Sequence, residues 1–96
     1  MADKYTRSAE GKDCEIRIPQ VCNFNSQTTS FAHLPNLSVG SKSPPICGSY
    51  ACSDCHDMVD GRVPRGIYSK RELSEWHKDG MDRTIRIMIA DGVLVL

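Results

Sequence analysis

Cys52-Ser53-Asp54-Cys55-His56-Asp57-Met58-Val59-Asp60-Gly61-Arg62 places two thiols, one imidazole and three carboxylates within eleven residues. Cys52 and Cys55 have the C-x2-C spacing that lets two thiolates share one tetrahedral zinc ion. Ser53 suits a helix N-cap, Asp54 suits the positive end of the helix dipole, and Gly61 suits the stop. The reading is a helix over residues 53–60. On it His56 and Asp60 lie one turn apart on the same face. A sulfur site and a nitrogen–oxygen site can therefore be built side by side.

The remaining thiols lie mostly upstream. The 96-residue chain has five cysteines, at 14, 22, 47, 52 and 55. The N-terminus shows no apolar signal region and no apolar run approaches the ~20 residues of a membrane span. The expected compartment is the cytoplasm, where thiols stay reduced and cysteine clusters favour metal over disulfides. Cys14, Cys22, Cys52 and Cys55 form two pairs about thirty residues apart, a zinc set that ties the front of the chain to its middle. The competing readings are buried free thiols and a set in which Cys47 replaces Cys22. The apolar core is lean, with one Trp, two Phe and three Tyr, so a metal staple would matter. Formal net charge is zero, so a nucleic-acid surface must come from local clustering.

The order of elements follows from local patterns. Residues 1–12 read as a frayed or short helical arm. Cys14, Ile16 and Ile18 alternate with Glu15 and Arg17, which predicts a strand broken by Pro19. Ser30 to Leu34 reads as a strand ended by Pro35, and Asn36 to Pro45 as a long functional loop. Ile46 to Ala51 reads as a strand or extended lead-in. Ser69-Lys70-Arg71-Glu72 is a capping box. Behind it, Leu73, Trp76, His77, Met81, Thr84, Ile85 and Met88 form one helical stripe. Gly80 interrupts that helix, and Ile85, Ile87 and Ile89 would also fit a strand. Val93 to Leu96 reads as a terminal strand or an apolar tail that could pair across a homodimer.

His33, at a strand end, could join His56 and Asp60 around a phosphate. One imidazole would act as base while His56 and Asp60 hold a divalent cation. Otherwise His33 is a core or surface histidine, His56 a substitute zinc ligand, and Asp60 a helix-end residue. His77, on the apolar stripe beside Trp76, reads as structural.

Ala32-His33-Leu34, followed by Cys52-x-x-Cys55-His56, resembles the His-Asn-His (HNH) nucleases of the ββα-metal fold. The likeness is strongest to the YbcO-type nucleases of prophages, through the run from Asp13 to Asn23, Ala32-His33-Leu34, Cys52 to Asp57 and Gly80-Met81. The resemblance covers most of the chain. It implies that His33 is the general base acting on a phosphodiester and that His56 binds the catalytic cation. It puts Asp60 at the place of a second cation ligand and the four cysteines around structural zinc. Two positions depart from the pattern. Ala32 stands where many members carry an acidic or second His ligand, and Cys47 lies in the region of the middle Asn.

The expectation is thus a small α+β domain over residues 1–96, an HNH-like ββα-metal unit with an additional C-terminal helix. Its expected activity is metal-dependent hydrolysis of DNA with Mg2+, Mn2+ or Ni2+, in phage recombination or DNA processing with phage or host proteins as partners. Arg17, Arg62, Arg65, Lys70 and Arg71 are the candidate phosphate contacts. The rivals are a non-catalytic zinc module that docks DNA or protein, and a redox dithiol protein.

Overall fold

The computed structural model describes residues 4–33 and 47–95. The first element is a short helix, α1 (Lys4–Ser8), followed after a single 3-10 turn (Ser26–Thr28) by strand β1 (Ser30–His33). Strand β2 (Gly48–Ala51), helix α2 (Ser53–Val59) and the long helix α3 (Lys70–Ala90) complete the order. The architecture of the described residues is α+β, with one two-stranded sheet and three α-helices. The loop expected from Asn36 to Pro45 lies outside the described residues, as do Leu34 and Leu96.

β1 and β2 run antiparallel, with Phe31 opposite Tyr50 and His33 opposite Gly48. The alternation of a strand sends successive side chains to opposite faces. Phe31 and Tyr50 pack with Ala9 after α1 and with Met88 of α3. Ala32 and Ala51 belong to a second cluster that holds Cys14, Ile16, Ile18, Cys52, Cys55, Met58 and Leu73. Gly48 leaves the room that the Phe31 ring fills, since a Cβ there would lie 2.6 Å from that ring. This sheet has a core on each side, which is why all four residues of β2 are buried.

α3 starts on the predicted capping box, with Ser69 and Glu72 bonded reciprocally. It runs unbroken through Gly80 and through Ile85, Ile87 and Ile89, so the helical reading of that segment holds. Leu73, His77, Gly80, Thr84 and Met88 are its buried stripe. Polar bonds seat this stripe on the sheet. Thr84 Oγ1 accepts from Tyr50 N at 2.9 Å, and Ser49 Oγ donates to His77 O at 2.8 Å. His77 Nε2 meets Ala32 O at 2.9 Å. The helix ends in a Schellman motif: Gly92 at φ +77°, Gly92 N bonded to Ile89 O, and Val93 N bonded to Met88 O. Val93 and Leu94 fold back against the Phe31 cluster rather than forming a terminal strand.

The strand expected over Cys14–Ile18 does not form. Only Glu15 N reaches β2, donating to Tyr50 O at 2.7 Å. Arg17 then takes φ +53° and ends any extension. The alternation that suggested a strand is also incomplete, because Glu15 is buried along with Cys14, Ile16 and Ile18. Its carboxyl faces Arg17 and Arg83. Burial pushes its pKa up, and the two guanidinium groups partly offset that.

Candidate metal centre

Two knuckles and one helix start bring four sulfurs together. Cys14 and Cys22 bracket the irregular segment, and Cys52 and Cys55 open α2. All four Sγ atoms lie within 4.8 Å of one another, and all four thiols are free. Cys22 Sγ and Cys52 Sγ are 3.9 Å apart, far beyond disulfide length. A tetrahedral ion with metal–sulfur bonds of about 2.3 Å sets sulfur–sulfur edges of about 3.8 Å. The donor set therefore fits one metal ion. Cys47, half-buried, is outside the group, so the reading in which it replaces Cys22 is not the one the fold adopts.

The backbone around the cluster is shaped to serve sulfur. Arg17 N points at Cys14 Sγ at 3.5 Å, and Cys55 N at Cys52 Sγ at 3.4 Å. Phe24 N bonds Cys22, and Ile18 N bonds Cys55. Arg17 and Phe24 are both in the left-handed region, at φ +53° and +55°. Non-glycine residues adopt that region reluctantly. Here it aims two amide donors at thiolates, and N–H bonds favour the charged form of an acceptor.

The same geometry couples the thiols to one another. The Cys55 thiol donates to Cys14, which holds the Cys14 pKa well below the ordinary value of 9.0 despite burial. Cys55 is pushed far up, first by that bond and then by burial. Burial is the main cause of the rise at Cys22. A metal ion entering this site would displace the protons that the thiols still hold.

At the other end of α2, His56 Nε2 and Asp60 Oδ2 are 3.0 Å apart. His56 Nδ1 meets Ser30 Oγ at 2.7 Å, so β1 orients the ring and leaves Nε2 facing the carboxylate. The Arg62 guanidinium lies 3.2 Å from the same Asp60 oxygen. α2 closes on a Schellman motif, with Gly61 at φ +76°, Gly61 N on Met58 O and Arg62 N on Asp57 O. That closure places Arg62 beside Asp60.

His33 is exposed at the end of β1, its ring edge-on to Phe31 with centroids 5.0 Å apart. It shares the Phe31 face of the strand, whereas Ser30 and Ala32 face the α2 side. His56 and Asp60 thus meet directly, while the ring contact of His33 is with Phe31. Among the described residues, only the four cysteines form a converging metal-ligand group of three or more.

Of the candidate phosphate contacts, Arg17 pairs with Glu15, Arg62 with Asp57 and Asp60, and Arg71 with Glu75. Arg65 and Lys70 are exposed and have no acidic partner among the described residues. Sequence reasoning missed Ser30, the bonding partner of His56, and Lys78, which joins Arg65 and Lys70 around one groove. For Lys78 the available signal was its spacing of eight residues, about two helical turns, from Lys70 on α3.

The family model described as "Putative nuclease YbcO" matches residues 3–93. The chain belongs to the YbcO family. It is 39% identical over 100 residues to "Putative nuclease YbcO" of Escherichia coli (strain K12), an alignment covering 98% of each chain. The same identity and coverage hold for "Putative nuclease ybcO" of Enterobacteria phage 82. A solved structure of a putative bacteriophage protein from Escherichia coli K-12 substrain MG1655 superposes with a TM-score of 0.76 at 36% identity. It covers 91% of this chain and 98% of that one. No helix among the described residues is long and apolar enough to cross a membrane.

Proposed function

We propose that this YbcO-family chain is a metal-dependent DNA endonuclease of the HNH, ββα-metal type, with zinc at the four cysteines. The observation that carries the reading is the His56–Asp60 pair on the helix whose start the cysteines hold. A hairpin followed by that helix is the element order a ββα-metal unit requires. The nuclease names of its relatives point the same way.

In this reading, His56 Nε2 and Asp60 Oδ2 would hold a divalent cation, with Ser30 fixing the imidazole ring. Such a cation would supply charge stabilisation at the leaving oxygen. His33, exposed where β1 ends, would take the proton from an attacking water that approaches past the open end of the strand. Arg62 lies where it can contact a phosphate once Asp60 engages the cation.

A second reading is a non-catalytic zinc module. It is favoured by Ala32, a fully buried methyl group at a position where many HNH nucleases place a ligand. Plasmid nicking with Mg2+, Mn2+ or Ni2+ separates the two. The expected outcome is nicking by the parent chain and a loss of at least ~100-fold in His33→Ala and His56→Ala. DNA binding without nicking under every metal would establish the module.

A further inference from the structure

A groove of about 590 Å3, with Asp60 on its wall, opens between the end of α2, the 61–66 loop and the first half of α3. That volume is within the range of sites that enclose a small organic group. Met58, Val63 and Leu73 give it an apolar floor, and Arg65, Lys70 and Lys78 stand around it.

The cations are the informative part. Six basic side chains in the described residues, Lys12, Arg17, Arg62, Arg71, Arg83 and Arg86, are paired with carboxylates. Lys4 lies over the Tyr5 ring. Of the four other described Lys and Arg residues, three surround this groove. Among the described residues, most of the basic side chains without a carboxylate partner thus gather around one apolar hollow. Phosphates would answer the charge, and the flat face of a nucleobase would answer the floor.

We propose that the groove seats an unpaired nucleotide of a DNA strand, one step from the phosphodiester held at His56 and Asp60. The protein accordingly prefers single-stranded or locally opened DNA to intact duplex, whose stacked bases cannot enter the hollow. This rests on the nuclease reading for the register of the strand, and binding tests it independently of cutting.

The experiment is fluorescence anisotropy with a labelled twelve-nucleotide oligothymidylate and a twelve-base-pair duplex, without added divalent cation, across a salt series. The parent chain is expected to bind the single strand about tenfold more tightly. The double variant Lys70→Ala/Lys78→Ala should lose most of that preference, and its salt slope should fall by about 1.4 for two lost phosphate contacts. Ser74→Trp, which fills the groove and leaves every charge in place, should weaken the single strand and spare the duplex; its circular dichroism checks the fold. Equal binding of the two DNAs, or single-strand binding unmoved by both variants, overturns the proposal. Plasmid nicking is assayed in parallel. Groove-dependent binding with no nicking keeps the groove and removes the nuclease reading; nicking with unmoved binding does the reverse.

Discussion

At residue 80 a hydrogen atom stands where a methyl group would decide how α3 meets the rest of the molecule. A Cβ there would lie 3.0 Å from Glu15 O, 3.1 Å from Ile16 Cγ1 and 3.1 Å from Ser49 Oγ. Arg83 also holds Glu15 O, so that carbonyl has little freedom to retreat. In an open helix Gly→Ala stabilises by up to ~1 kcal/mol. Here Gly80→Ala is expected to destabilise by about 1–3 kcal/mol, as overpacking does, and denaturant titration gives the sign. His77 makes stability depend on pH near neutrality. Burial holds its pKa below the ordinary 6.5. Below pH 6.5 the unfolded chain takes up a proton that the folded chain refuses until lower pH. This group's contribution is therefore fully present above pH 6.5 and declines as pH falls. Melting temperatures of the parent and His77→Gln between pH 7.5 and 5.5 should show the parent losing more on acidification.

Among the elements, α3 is the one most legible from sequence, because its capping box, apolar stripe and terminal Gly92 are all local signals. Ser69→Ala should cost about 1 kcal/mol, read from thermal or denaturant melts, since it removes the acceptor for Glu72 N. The stop of α2 was legible for the same reason, through Gly61, but its N-cap is Cys52 rather than the expected Ser53, because the Cys52 sulfur accepts from Cys55 N. The segment from Cys14 to Ile18 was misread. Its alternating pattern has a strand's period, but the backbone answers to sulfur: Arg17 turns its amide to Cys14. A period of two cannot distinguish a strand from a knuckle whose buried residues face a metal cluster.

Across the whole molecule, the cysteine cluster joins the 14–22 segment to α2, and both belong to the core that also holds Leu73 of α3. Structural zinc contributes on the order of 10 kcal/mol, comparable with the total stability of a small domain. Chelation at neutral pH is expected to abolish the cooperative melt followed by circular dichroism, and zinc should restore it. One equivalent of zinc should remain after gentle purification, and Cys22→Ser should lower that content. A metal-free preparation that keeps its melt would refute the structural role. Both core faces of the sheet would loosen together, because α3 spans from Leu73 in one cluster to Met88 in the other.

The sequence by itself determined the helix ends, the two cysteine pairs and the His56–Asp60 spacing. Each depends on residues within about one helical turn or on a fixed ligand spacing, so local chemistry is sufficient. The tertiary structure alone decided that Ser30 orients His56, that His33 lies on the Phe31 face, and that Arg65, Lys70 and Lys78 gather at one groove. Those facts depend on how β1, α2 and α3 are set against each other, and that arrangement comes from burial and long-range packing that no local pattern encodes.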